Sequence, residues 1–292
     1  MKQLLFSGTC TAMVTPFLNG QVNYPMMEQL LKKQIDAGIE AVVIAGTTGE
    51  APTLSDREKL TLFARCKAYA GDSLKIICGT GSNDTKHAQE LSLAAQEAGA
   101  DALLIVSPYY NKANSDGLVA HYMTIAHAIA IPLIIYNVPS RTGLDIPVSV
   151  YERLARIPNI VGVKEASTDI KKILHISARC GDELPVWSGN DDMVTASMAI
   201  GAKGVISVAS NVAPVQMRAL TGAALDGDFD TALDLQRKLL PLIDALFSDV
   251  NPIPVKAAMQ MIGYDCGDCR LPLGKMEQEK WNELAKIIKR GA

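Results

Sequence analysis

Apolar positions along the chain fall into two alternating patterns. Short β-rich apolar runs, bounded by Gly, Pro, Ser or Thr, recur at roughly 20–35-residue intervals. Amphipathic segments with helical spacing lie between them. The runs are GTCTAMVTP (8–16), AVVIAG (41–46), KIICGT (75–80), DALLIVSP (101–108), PLIIYNVP (132–139), IVGVK (160–164), LPVWSG (184–189) and GVISVAS (204–210). Segments such as YPMMEQLLKKQIDAG (24–38) and TKHAQELSLAAQEAGA (85–100) read as helices that stop at Gly38 and Gly99. Eight strands alternating with helices predict a (β/α)8 barrel. An open doubly wound sheet is the competing architecture, but no G-x-G-x-x-G follows an early strand, and Gly79-Thr80-Gly81 is a lone G-x-G. From about residue 225 the pattern turns wholly helical. The expected division is a catalytic barrel over 1–224 and a C-terminal helical region over 225–292, with no evident linker.

Composition narrows the class. Of the 292 residues, 48% are hydrophobic, enough for a sizeable core. A net charge of −3 favours neither nucleic acid nor an anionic membrane as partner. No apolar run approaches the roughly 20 residues of a membrane span, and the N-terminal stretch does not read as a signal peptide. A soluble cytoplasmic protein is expected. Of six cysteines, most are dispersed in apolar surroundings and read as reduced, buried thiols. Cys266 and Cys269 form a C-x-x-C with no second ligand pair, so no metal site is expected there.

In such barrels chemistry gathers where strands end. Strand 2 ends in AGTTGE, with Thr47, Thr48 and Glu50. Strand 4 ends in SPYYN, with Tyr109 and Tyr110. Strand 5 ends in YNVPSRTG, with Tyr136 and Arg141. Strand 6 ends in Lys164, strand 7 in SGND and strand 8 in SVASN. Alternation along strand 6 places Ile160, Gly162 and Lys164 on one face, with Gly162 leaving room for the lysine stem. The same alternation puts Ile134 and Tyr136 together on strand 5, so a phenol and an amine would share one mouth. A buried, unpaired lysine amine is a nucleophile suited to forming a Schiff base with a carbonyl substrate. The plainer alternative is a lysine that ion-pairs with Glu165 or Glu50. Thr47 and Thr48 could be caps, Tyr136 a core tyrosine, Tyr109 and Tyr110 surface aromatics, and Arg141 a solvated loop charge. The four histidines fall in helical segments, so no histidine catalysis or metal site is expected.

Taken together, GTTGE, YNVPSRTG and GVKEAS, with NPIPVK (251–256) in the helical tail, make the chain resemble the pyruvate-dependent class I aldolases of the dihydrodipicolinate synthase and N-acetylneuraminate lyase family. The SPYYN motif and Arg141 place it nearer the synthase branch than the branches that cleave sialic acid or 2-keto-3-deoxy-gluconate. The resemblance implies that Lys164 forms an imine with pyruvate and condenses it with aspartate-4-semialdehyde, without a cofactor or a metal. It implies a hydroxyl relay of Tyr136, Thr47 and Tyr110, with Tyr110 acting from an adjacent subunit. It assigns the pyruvate carboxylate to Thr48, the semialdehyde carboxylate to Arg141, and backbone lining of the pocket to Gly189 and Ile206. It further implies a homotetramer built as a dimer of dimers. Many members are inhibited by lysine at positions matching Ala51, Asp56, Lys59, Asn83, His87 and Tyr109. Sensitive members carry His and Glu where this chain has Lys59 and His87, so weak inhibition is expected. A keto-acid-binding barrel without turnover is the non-enzymatic alternative.

Overall fold

The computed structural model describes residues 2–291. Eight parallel strands form a closed barrel: β1 (Gly8–Ala12), β2 (Ala41–Ile44), β3 (Lys75–Gly79), β4 (Ala102–Val106), β5 (Leu133–Asn137), β6 (Ile160–Glu165), β7 (Val186–Ser188) and β8 (Gly204–Ser207). Each pairs with its predecessor, and β8 closes on β1 through Gly8–Gly204. Helices α1 (Tyr24–Asp36), α2 (Asp56–Ala70), α3 (Thr85–Glu97), α4 (Ser115–Ala128), α5 (Val148–Leu154), α6 (Ile170–Cys180), α7 (Val194–Ala199) and α8 (Pro214–Leu225) follow the strands in turn. Three more close the chain: α9 (Phe229–Leu246), α10 (Ile253–Met261) and α11 (Gln278–Lys289). The strands lie where the apolar runs predict, but β1 stops at Ala12 rather than Pro16.

Local chemistry starts and stops the helices. Ser55 and Glu58 form a reciprocal capping box on α2, and the side chains of Asn23, Asp84, Asp169 and Asp228 each accept a first-turn N–H. Gly38 and Gly99 take positive φ just past α1 and α3.

Two apolar layers result. The interior of the barrel holds Cys10, Val43, Ile77, Leu104, Ile134, Tyr136, Trp187 and Ile206. The larger layer fills the space between strands and helices. Strict alternation fails on β6. The ladder runs Leu133–Ile160 and then Ile134–Gly162, a bulge that inserts Val161. Val161 therefore joins the interior while Ile160 packs in the outer layer, against the expected shared face for Ile160, Gly162 and Lys164. Beyond the bulge, Lys164 is opposite Tyr136 on β5 and Trp187 on β7.

Among the described residues no helix is long and apolar enough to cross a membrane. No group of three or more His, Cys, Asp or Glu side chains among them is arranged to hold a metal ion. All six cysteines are free. Burial pushes the thiols of Cys266 and Cys269 up to about 12. At neutral pH both are thiols rather than the thiolates that redox exchange requires.

Candidate active site

Lys164 is 6% exposed, and its Nζ lies 4.4 Å from the centroid of the Tyr136 ring. Among the described residues no carboxylate stands within ion-pair distance of that nitrogen. The two acids that the sequence offered as ion-pair partners are engaged elsewhere. Glu50 pairs with Lys256 at 2.9 Å, both fully buried. Glu165, although next in sequence, points to the other side of the sheet and accepts from Asn137 Nδ2 (2.8 Å), Ser167 N (2.8 Å) and Tyr151 Oη (3.2 Å).

Two glycines shape the space around the lysine, and one of them differs from expectation. A Cβ on Gly162 would lie 2.4 Å from Trp187 Cζ3, so the indole, not the lysine stem, fills the gap left there. Trp187 is fully buried and stacks on Phe6 at 4.7 Å. The lysine stem owes its room to Gly189, where a Cβ would meet Lys164 Cε at 3.1 Å. Sequence alternation could not reveal this, because Gly189 lies on the next strand's exit.

A cavity of about 690 Å³ opens at the C-terminal mouth, with Thr47, Tyr136, Val138 and Arg141 in its wall. Tyr136 is 7% exposed. Arg141 stands in a short helical turn (Pro139–Thr142), and its Nη2 donates to the main-chain oxygen of Asn251 at 3.1 Å. No carboxylate pairs with it among the described residues, which leaves the fork available for an anionic ligand. Thr48, 2% exposed, accepts from Asn251 Nδ2 at 3.1 Å. Ile206 is fully buried in the interior on β8. Ala51, Asp56, Lys59, Asn83, His87 and Tyr109 line the same cavity farther out. There Asp56 binds His87 Nε2 at 2.9 Å and Lys59 at 3.7 Å, and burial lowers the Lys59 pKa.

Tyr110 stands apart from this cluster. It is 93% exposed and holds a left-handed φ of 69°. Within one chain, among the described residues, the Tyr136 and Thr47 hydroxyls have no protein hydrogen-bond partner, so the expected relay is not closed. Backbone strain in non-glycine residues gathers at this end of the barrel: Ala45 and Glu50, with φ of 52° and 57°, bracket Gly46–Gly49.

Four residues hold the site together in roles that the strand-end reading does not assign. Asn137 and Glu165 each follow a predicted catalytic residue and point the other way. Asp191, 1% exposed, accepts from Val208 N and Ala209 N at 2.9 Å and so ties the β7 exit to the β8 exit. Asn251 comes from the helical tail. The signals in the sequence are the dipeptides YN and KE, the acid in SGND, and the Asn of NPIPVK.

A closed parallel barrel with a buried, unpaired lysine against a tyrosine ring at its C-terminal mouth defines a class I aldolase-type lyase. The model of the dihydrodipicolinate synthetase family matches residues 5–291, and the chain belongs to that family. It is 46% identical to the 4-hydroxy-tetrahydrodipicolinate synthase of Fervidobacterium nodosum, over 98% of both chains. The crystal structure of dihydrodipicolinate synthase from Aquifex aeolicus superposes with a TM-score of 0.96 at 41% identity, again covering 98% of each chain. The chloride-inhibited dihydrodipicolinate synthase of Acinetobacter baumannii, complexed with pyruvate, gives a TM-score of 0.94 at 40% identity, covering 97% of this chain and 98% of that one.

Proposed function

We infer that this enzyme is a 4-hydroxy-tetrahydrodipicolinate synthase, joining pyruvate to L-aspartate-4-semialdehyde in the diaminopimelate and lysine pathway. The observation that carries the reading is Lys164: buried, without a carboxylate in ion-pair distance among the described residues, and set against Tyr136. The neutral amine attacks the keto carbon of pyruvate, and loss of water gives an imine. Removal of a methyl proton gives the enamine, whose carbon attacks the aldehyde of the second substrate. The amino group of that substrate then attacks the imine carbon, closes the ring and expels Lys164.

Tyr136 is the proton carrier in this scheme. A phenol is a weak base alone, and coupling to Thr47 and Tyr110 makes transfer practicable. The exposure of Tyr110 supports its supply to a neighbouring chain's pocket, in a homotetramer built from two dimers. We assign the pyruvate carboxylate to Thr48, the semialdehyde carboxylate to Arg141, and lining of the pocket through backbone groups to Gly189 and Ile206. The unpaired guanidinium favours this reading over cleavage of a sugar acid. We assign the barrel to 1–224, the helical region to 225–292, and the enzyme to the cytoplasm.

The test is mass spectrometry after pyruvate and borohydride, followed by a coupled assay with the semialdehyde. A reduced adduct on Lys164, absent from Lys164→Ala, is expected. An unmodified Lys164 in the wild type would refute the mechanism, and an adduct without turnover would leave a keto-acid-binding barrel.

A further inference from the structure

Asn251 lies in the connection between α9 and α10, far in sequence from every strand-end motif. It is 7% exposed, and it touches both groups assigned to substrate carboxylates. Its Nδ2 donates to Thr48 Oγ1 at 3.1 Å, and its main-chain oxygen accepts from Arg141 Nη2 at 3.1 Å. Its Oδ1 is buried with no partner in the structure. The donation to Thr48 is thus the contact that orients the amide. One turn into α10, Lys256 binds Glu50 at 2.9 Å, so the same tail segment grips the Thr47–Glu50 loop at two points.

The direction of the first contact matters. A threonine hydroxyl has one proton and accepts on two lone pairs. Because Asn251 donates to it, the Thr48 proton remains free to point at an incoming carboxylate. An acceptor in place of the amide would draw that proton away. The second contact anchors one edge of the Arg141 fork and leaves its remaining donors for an anion.

We propose that Asn251 is a positioning residue which presets Thr48 and Arg141 to receive the two substrate carboxylates. The proposal rests on the pyruvate chemistry inferred above and acts through Thr48 and Arg141, not through the reacting atoms. It makes a ranking that a merely structural role would reverse. Asn251→Asp is nearly isosteric and would be the milder change for packing. It is the harsher one here, because it withdraws the Thr48 proton and adds a negative charge beside the carboxylate sites.

The experiment titrates pyruvate and traps the adduct with borohydride, reading the labelled fraction of intact protein. In Asn251→Asp the half-saturating pyruvate rises about tenfold or more, the scale of losing the Thr48 hydrogen bond to a charged carboxylate, and in Asn251→Ala it rises severalfold, the scale of losing one neutral hydrogen bond. On a Thr48→Val background neither substitution adds a further rise, since neighbours acting through one group are not additive. Half-saturation in Asn251→Asp within twofold of wild type, or no higher than in Asn251→Ala, or full additivity with Thr48→Val, overturns the proposal while the wild-type adduct stands. If the Asp variant does not fold, the Ala variant decides: a rise lost on the Thr48→Val background supports the role, and no rise overturns it. A wild type that forms no adduct refutes the pyruvate mechanism itself, and the role of Asn251 with it.

Discussion

Asn137 Nδ2 donates to Glu165 Oε1 at 2.8 Å on the helix-facing side of the sheet, one residue beyond Tyr136 and Lys164. The contact is the mirror of the site. On the inner face the phenol and the amine meet, and on the outer face their chain neighbours lock the same two strands in register. Asn137 also donates to Asp145 at 2.8 Å, and Asp145 is ion-paired to Lys172. A backbone pair held on one side is stiffened on the other, which is what the proposed role of Lys164 as a nucleophile needs.

The first prediction follows from that network. Glu165→Ala removes the acceptor of the Asn137 amide, the Ser167 N–H and the Tyr151 hydroxyl, at about 1–3 kcal/mol for each buried group left unpaired. Lower stability in urea unfolding and a lower kcat at saturating substrate are expected. Unchanged kcat with reduced stability would show that the network supports the fold and not the site.

Lys256 and Glu50 form a fully buried pair, 3% and 0% exposed at the side chain. Such a pair can be near neutral in net worth, but removing one partner strands the other charge. Lys256→Met is therefore predicted to destabilise by about 3–5 kcal/mol, and adding Glu50→Gln to recover part of the loss. Denaturant midpoints of both variants check this. A double variant no more stable than the single one would contradict it.

Arg270 binds Glu58 through both terminal guanidinium nitrogens, Nη1 at 3.0 Å and Nη2 at 2.5 Å, tying the C-terminal segment to α2. The hydrogen bonds from Arg270 are the main cause holding the Glu58 carboxyl at about 2 rather than near its usual 4.5. A depressed carboxyl contributes stability that is full above the unfolded value and is lost as pH falls through the folded one. The contribution should fade between about pH 4.5 and 2. Glu58→Gln is expected to lower stability near neutrality and to match the wild type near pH 2. A stability difference independent of pH would rule out this linkage.

The outer cavity carries a prediction about regulation. Asp56 is already engaged by His87 and Lys59. The ammonium of a bound L-lysine would meet a cation at Lys59 and find the nearby carboxylate occupied. Little inhibition by L-lysine below millimolar concentration is predicted from initial rates. Strong inhibition in that range would show that the cluster rearranges to accept the ligand.

Much of the site is legible in the amino-acid order alone. The strand-end motifs name Lys164, Tyr136, Thr47 and Arg141; the fold brings the last three to one cavity and sets Lys164 against the Tyr136 ring. Thr48 is legible as a polar residue, but its partner is not. The contact with Asn251 spans 203 residues, and no local pattern encodes it. Alternation assigns Ile160 to the wrong face because a bulge at Val161 resets the period.

The sequence by itself determined the alternation of strand and helix, the stops of the helices, and which residues stand at the strand ends. These rest on short-range chemistry: side-chain period, capping hydrogen bonds and the backbone limits of Gly and Pro. Only the tertiary structure decided that Trp187 fills the space beside Gly162, that Gly189 makes room for Lys164, and that Asn251 reaches Thr48. Those outcomes depend on which surfaces a closed barrel presses together, and that is settled by packing between segments with no neighbourhood in the chain.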